Sequence, residues 1–223
     1  MKNVLLLCVM LISSLYAQQT NLKSAFVTAN LGVYDVAQSQ FDQVYNSNIG
    51  FLPGISLGLP ISTRTYFYCK ASYFSKDGVP EAYELELQNG KSVIVSEGRE
   101  GTAKFREWLF NAGLLYNIFL SEEYTLGING GISFVNFYEE KEGPAGSYSV
   151  ISTGGGFLGF FGGVSLERNF NSSPFSIVGE VQYNLSRGDI QSFVGALQSF
   201  TSNYGGLDIN LGGRFYFNER RTQ

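Results

Sequence analysis

The 223-residue sequence contains no histidine and two cysteines, Cys8 and Cys69. The absence of histidine excludes Ser-His and Asp-His catalysis and the histidine ligands of common zinc sites. One or two thiols build neither a disulfide framework nor a thiolate cluster. The sequence therefore predicts a protein that is not an enzyme and has no catalytic, cofactor-binding or metal-binding residues.

The chain is also poor in charge. Charged residues make up 15% of it, with 15 basic and 19 acidic side chains, whereas soluble domains average roughly 25%. No basic cluster indicates nucleic acid as a partner. Beyond the N-terminal segment, no run of the ~18 apolar residues needed for a membrane-spanning helix occurs. Aromatic residues at 15% and 27 glycines argue against intrinsic disorder, which needs few aromatics and a high net charge.

The N-terminus has the three parts of a secretory signal. Lys2 provides a basic start, Val4 to Leu15 an apolar core, and Ala17 a small residue before the cut. We predict a signal peptide over residues 1–17, with cleavage after Ala17. Leu15 stands where a small residue is preferred, so the cut is defined only to within a few positions. A lipoprotein signal at Cys8 is disfavoured, because the apolar core would end almost where it began.

What recurs along the rest of the chain is strand-length alternation of apolar and polar residues. It is clearest at residues 124–135, where Tyr124, Leu126, Ile128 and Ile132 share one face. Segments 49–59, 175–185 and 207–217 repeat the pattern, and weaker versions lie at 24–35, 65–75, 105–119 and 156–167. The pattern predicts eight β-strands.

The connections between these segments alternate in length. Short ones lie near 60–64, 120–123 and 168–174, and long ones near 36–47, 76–103, 138–154 and 186–203. This order is typical of an antiparallel up-and-down barrel with both termini on the short-turn side. In the second long connection, Asn89-Gly90 predicts a hairpin with Leu85 opposite Ile94. In the fourth, Asp189 is placed to cap a short helix that carries Ile190, Phe193, Val194 and Leu197.

The polar face of the strands decides which side of the barrel is apolar. That face consists mostly of Gly, Ser, Asn and Thr with isolated charges, whereas a soluble barrel needs a charged exterior. Small polar residues suit a narrow lumen, so the apolar face points outward, into lipid. Aromatic residues near both strand ends fit the two membrane interfaces: Tyr124, Phe175 and Phe217 near the short turns, and Trp108 and Phe134 near the long loops. A secreted lipocalin-like barrel remains an alternative, although its Gly-x-Trp signature is missing.

The closing segment Leu211-Gly-Gly-Arg-Phe-Tyr-Phe217 resembles the aromatic-ended last strand of eight-stranded OmpA/OmpX-like outer-membrane β-barrels. The resemblance implies a barrel over residues 18–217 in the bacterial outer membrane, with Phe215 and Phe217 as the signal read by the assembly machinery. It also implies contact with outer-membrane lipid and lipopolysaccharide. Residues 218–223 depart from the pattern, since that signal usually ends the chain, and are predicted to form a short periplasmic tail.

Five charged residues fall on predicted lumen positions: Lys70, Glu107, Glu180, Asp208 and Arg214. Because unpaired buried charge is costly, we expect an interior network centred on Glu180 and Arg214, on neighbouring strands. The alternative is that these side chains only fill the lumen.

Three short motifs are better explained structurally than functionally. Gly154, Gly156 and Gly159 match a phosphate-loop spacing, but no helix follows. Arg187-Gly188-Asp189 matches an integrin-binding tripeptide and is interpreted as a turn with a helix cap. Glu139 to Glu142 is interpreted as a solvated loop tip rather than a cation site.

The expected function is structural, adhesive or ligand-binding, exerted through extracellular loops on an unknown external partner. Narrow, OmpW-like passage of small solutes is the first alternative, and a lipocalin-like ligand carrier is the second.

Overall fold

The computed structural model describes residues 24–38, 41–88, 91–142, 150–170, 173–191 and 199–217. The predicted signal peptide and the predicted tail at 218–223 lie outside these ranges. The described elements are β1 (Phe26–Val36), α1 (Phe41–Tyr45), β2 (Ile49–Pro60), β3 (Thr65–Gly78), β4 (Glu81–Gln88), β5 (Lys91–Arg99), β6 (Thr102–Phe119), β7 (Tyr124–Glu142), β8 (Val150–Asn169), β9 (Phe175–Gln191), β10 (Ser199–Asn203) and β11 (Gly206–Tyr216).

Eight of these strands close into one antiparallel up-and-down barrel, as the sequence predicted. The order is β1-β2-β3-β6-β7-β8-β9-β11, and β11 pairs back onto β1 from Phe26 opposite Tyr216 to Val36 opposite Gly206. Closure leaves every barrel strand with two neighbours, so the backbone groups within the wall are hydrogen-bonded, which a lipid environment requires. No helix in the described ranges is long and apolar enough to cross a bilayer.

The outward face of the barrel is apolar and its inward face is mixed. Leu158, Phe160 and Leu211 are 72%, 69% and 64% exposed, while Asn184, Gln182 and Ser133 are fully buried in the lumen. This is the reverse of a lipocalin-like arrangement, in which the exterior is polar. The aromatic residues predicted near both strand ends are indeed exposed there.

These aromatics form two girdles. At the outer rim Trp108 packs on Tyr73 and Phe110, with ring centroids 4.8 and 6.0 Å apart, and at the short-turn rim Phe215 packs on Phe175 at 4.9 Å. From Trp108 to Phe119 on β6 the chain advances roughly 28 Å along the axis, at ~3.3 Å per residue and a tilt of ~40°. This height matches the ~25 Å apolar band of outer-membrane barrels.

The strands run further beyond the outer girdle than the alternation suggested. The inner ends agree with the prediction. At the outer end, β7 reaches Glu142, β8 begins at Val150 and β9 reaches Gln191. Much of the predicted long loops at 138–154 and 186–203 is therefore strand. Above the membrane the outward strand face meets water instead of lipid, so the apolar alternation that marks a strand in the sequence fades.

Two predictions about these connections had opposite outcomes. The hairpin is confirmed: β4 pairs with β5 and Leu85 lies opposite Ile94, next to an irregularity at Glu84 and Leu85. The helix capped by Asp189 is wrong at its start, because Asp189 and Ile190 belong to β9 and pair with Thr201 and Phe200 of β10. Residues 193–197 of the predicted helix and the Asn89-Gly90 turn of the hairpin lie outside the described ranges.

A row of aromatic and glycine residues shows why some lumen positions are glycine. Tyr68, Gly113, Gly131 and Phe161 are consecutive register partners across β3, β6, β7 and β8. A Cβ atom on Gly113 would lie 2.1 Å from the carbonyl oxygen of Gly130. Only glycine fits there, and the rings of Tyr68 and Phe161, 6.3 Å apart, lie at the two ends of the row.

Candidate functional site

The lumen contains three regions along the barrel axis. The inner cluster, near the short turns, is Thr28, Glu167, Ser176, Arg214 and Tyr216. The central cluster is Lys70, Glu180, Gln182 and Asp208 with their hydrogen-bond partners. The outer mouth is an apolar group on the long-loop side: Tyr34, Val36, Phe41, Tyr45, Leu52, Phe74, Ala103, Phe105, Leu109, Val135, Phe137 and Tyr204.

Lys70 organises the central cluster by reaching across the lumen from β3 to β9 and β11. Its Nζ lies 2.6 Å from Glu180 Oε1, 3.3 Å from Asp208 Oδ2 and 3.1 Å from Gln182 Oε1. The Lys70 and Asp208 side chains are 1% exposed and that of Glu180 is 6% exposed. One ammonium group thus neutralises part of the charge of two carboxylates from strands that are not its neighbours.

The remaining carboxylate oxygens of the central cluster accept further hydrogen bonds. Tyr68 Oη and Asn129 Nδ2 donate to Glu180 Oε2 at 2.9 and 3.0 Å. Asn184 and Asn210 donate to Asp208 at 3.4 and 2.9 Å. Hydrogen bonds of this kind offset the cost of burying a carboxylate. The arrangement ties β3, β7, β9 and β11 together through the middle of the barrel.

The inner cluster is built around a second ion pair. Arg214 Nη1 lies 2.5 Å from Glu167 Oε2, and Arg214 Nε donates to Thr28 Oγ1 at 3.0 Å. Ser176 and Tyr216 donate to Glu167 Oε1 at 2.5 and 2.7 Å. The guanidinium also lies over the ring of Phe26, 3.9 Å from its centroid, a favourable cation–π position.

The outer mouth is closed by α1, which was not expected from the sequence. Phe41 stacks on Tyr45 at 4.4 Å and packs edge-on against Phe105 at 5.0 Å. Tyr45 donates to Glu139 Oε1 at 2.8 Å, and Val79 N donates to Val44 O at 3.0 Å. Burial and the Glu139 carboxylate raise the pKa of Tyr45, so its hydroxyl remains a donor. Asn46, with a φ of 63°, turns the chain after α1.

Glu107 lies on the wall of the outer mouth, between Phe105 and Leu109 on β6. It is fully buried, and Tyr34 Oη donates to its Oε1 at 2.9 Å. Its Oε2 has no hydrogen-bond partner among the described residues. Of the buried carboxylates, it contrasts with Glu167, Glu180 and Asp208, each of which has a basic side chain within 3.3 Å.

All five charged residues predicted for the lumen are buried in it: Lys70, Glu107, Glu180, Asp208 and Arg214. The structure does not bring Glu180 and Arg214 together. On their neighbouring strands Glu180 lies opposite Asn210, and Arg214 lies opposite Ser176. A four-residue offset is roughly 13 Å along a strand, so each pairs with a different partner.

Glu167 is the charged lumen residue that the sequence analysis missed. It lies on the weakly alternating β8, in step with Ser165 and Phe161, which also face the lumen. The even spacing of Phe161, Ser165 and Glu167 along β8 could have predicted that Glu167 faces the lumen. The proposed assembly residues Phe215 and Phe217 lie at the inner rim, with ring centroids 5.3 Å apart, and their role stays a prediction.

The other motifs take ordinary structural positions. Arg187-Gly188-Asp189 is strand, not a turn, because it pairs with Thr201 to Asn203 of β10. Gly154 to Gly163 lies within β8. Glu139 to Glu142 is strand, not a loop tip, because it belongs to β7 and pairs with β6 and β8, and the Glu139 carboxylate lies 3.0 Å from Lys141 Nζ. Within the described ranges, no three His, Cys, Asp or Glu residues are grouped to hold a metal ion.

Neither family models nor curated proteins match this sequence. The fold is nevertheless similar to solved structures. The outer membrane protein OprG from Pseudomonas aeruginosa matches with a TM-score of 0.55 and 10% identity, over 88% of this chain and 97% of that chain. A major outer membrane protein from Thermus thermophilus matches at 0.53 and 12%, over 86% and 99%.

Neisserial surface protein A matches with a TM-score of 0.50 and 14% identity, over 86% of this chain and 97% of that chain. The predicted class, an eight-stranded outer-membrane β-barrel, is therefore confirmed as the fold. The exposed apolar belt between two aromatic girdles is the surface that a barrel surrounded by lipid presents. Fold and belt together assign the chain to the bacterial outer membrane.

Proposed function

We propose that this protein is a non-catalytic outer-membrane protein that acts through the part of the barrel outside the membrane. The observation that carries this proposal is the unequal pairing of β8. Its ladder with β7 continues to Val150, opposite Glu142, whereas its ladder with β9 ends at Gly159, opposite Ser186. Above that point β9 pairs with β10 along the edge that it shares with β11, since Asn203 lies opposite Arg187 and Gly206 opposite Asn184.

Residues 150–158 of β8 therefore lie beyond its ladder with β9, and within the described ranges no other strand pairs with that edge. An open strand edge presents a row of N–H and C=O groups, which recognise an extended peptide by strand addition. The β4–β5 hairpin, whose two strands cover Glu81–Arg99, rises on the same side of the membrane. The proposed ligand class is an extended segment of an external protein.

The filled lumen supports a surface role over transport. Lys70 connects β3 to β9 and β11 through the centre, and α1 covers the outer mouth. An eight-stranded barrel has little interior space beyond its own side chains. Passage of small solutes would require both obstacles to move.

The surface role is tested with cells that display the full-length protein on an array of extracellular proteins. The comparison variant replaces residues 81–99 by a short Gly-Ser turn and exchanges residues 150–155 for a shorter strand, leaving the membrane belt intact. We expect array binding to be lost while heat-modifiable gel migration is kept. Equal binding by both forms would contradict the proposal.

Planar-bilayer recordings test the alternative. We expect the wild-type protein to show no steady openings, and reproducible single-channel steps would favour solute passage instead. Recovery of the protein in a soluble fraction without detergent would contradict the membrane assignment itself.

A further inference from the structure

The outer mouth combines an uncompensated carboxylate with a wall of aromatic rings. Glu107 on β6 is the register partner of Phe74 on β3 and of Phe137 on β7. Phe105 and Leu109 precede and follow it on the same inward face. The ring centroids of Phe105 lie 6.2 Å from Phe74 and 6.0 Å from Phe137. Glu107 therefore shares the inward face of the barrel with phenyl rings on its own strand and on both neighbouring strands.

No basic side chain of the described residues neutralises Glu107. Both buried cations of the described residues already have partners. Lys70 pairs with Glu180 and Asp208, and Arg214 pairs with Glu167. Near the outer rim, Lys76 Nζ donates to the carbonyl oxygen of Ile49, and Lys104 and Arg106 are exposed on the outward face. The other carboxylates of the rim, such as Glu139, add negative charge.

The aromatic rings and the carboxyl group of Glu107 favour the same ligand chemistry. Aromatic faces attract cations, and a cation beside a buried carboxyl group stabilises its ionised form. The unpartnered Oε2 of Glu107 needs, in addition, an N–H donor. A primary ammonium group meets all three requirements, whereas a quaternary ammonium has no N–H and an alcohol has no charge. Leu52 and Val135, also in the mouth, suit an alkyl chain.

We propose that the outer mouth binds a slender primary alkylammonium ligand, with its ammonium group on Glu107 and its chain in the space now filled by α1. Phe41 packs on Phe105 and Phe74 at 5.0 and 6.2 Å, so α1 and the ligand compete for the same rings. The hydrogen bond from Tyr45 to Glu139 holds α1 in place. Weakening that bond raises the fraction of molecules in which α1 has left the outer mouth. The apparent affinity of the protein for the ligand rises with that fraction.

The test is a ligand-observed NMR titration of the full barrel in lipid nanodiscs. Three probes are compared: butylammonium, butan-1-ol and butyltrimethylammonium. We expect saturable binding of butylammonium and at least about tenfold weaker binding of the other two, because a charge-assisted hydrogen bond is roughly twice as strong as a neutral one. Equal binding of butylammonium and butan-1-ol would overturn the proposal.

Two substitutions should change the affinity for butylammonium in opposite directions. Glu107→Gln keeps the side-chain size and should weaken binding about tenfold or more, and Tyr45→Phe should strengthen it about two- to fivefold by releasing α1. Glu140→Gln, at the half-exposed outer rim, is the matched control and should change nothing. Heat-modifiable migration verifies that each variant is folded. Unchanged affinity in Glu107→Gln, or no binding even to Tyr45→Phe, would refute the proposal.

Discussion

In the centre of the lumen Lys70 lies between two carboxylates, whereas at the outer mouth Glu107 lies among phenyl rings and has no cation from the described part of the chain. The central groups hold one another through hydrogen bonds that cross the barrel, so each has one favourable position. The mouth is held by ring packing and by one short helix. Packing contacts are individually small and less directional. The difference suggests that the centre keeps the barrel closed and that the mouth is the part able to open.

The strongest test of this comparison is Lys70→Met. Removing the ammonium leaves Glu180 and Asp208 buried without a counter-charge, and breaking a buried pair in this way costs about 3–5 kcal/mol. We expect the urea midpoint for unfolding from phospholipid vesicles to fall accordingly. Lys76→Met, at the outer rim, is the matched control with a much smaller effect. A wild-type midpoint in Lys70→Met would contradict the role given to the central cluster.

A somewhat smaller loss is expected from Arg214→Leu, which leaves Glu167 without its cation. We expect roughly 3 kcal/mol of destabilisation in the same assay, since Ser176 and Tyr216 still donate to the carboxylate. The double variant Arg214→Leu with Glu167→Leu should recover most of the loss, because replacing both members of a buried pair is often nearly neutral. If the double variant were as unstable as the sum of both single variants, the ion pair would not be the reason.

The smallest effect is expected in the outer mouth. Phe105→Leu removes part of a ring that contacts Phe41, Phe74 and Phe137, and we expect about 1 kcal/mol of destabilisation. Amide hydrogen exchange should become faster in α1 while the central strands keep their protection. Loss of protection in β9 and β11 as well would show that mouth and centre unfold as one unit.

Much of the barrel could be predicted because its rules are local. Each inner strand end follows from a short turn, as at residues 120–123 between Phe119 and Tyr124, and the outward face follows from alternation. The inward position of Lys70, Glu107, Glu180, Asp208 and Arg214 follows from the same two-residue step.

The pairing of those charges could not be predicted, because it crosses the lumen between strands that are not neighbours. Lys70 meets Glu180 and Asp208 only when eight strands close with a particular tilt and register. Arg214 and Glu180, which share a strand interface, are separated by their register instead. The position of α1 over the mouth depends equally on rings from several strands.

By itself, then, the sequence determined the strands, their inward and outward faces, and the lack of histidine chemistry, since each is a property of neighbouring residues. The tertiary structure decided which buried carboxylates are neutralised and which one is not. The reason is that charge compensation depends on distances across the closed barrel, and closure brings Lys70 to two carboxylates while leaving Glu107 with no cation among the described residues.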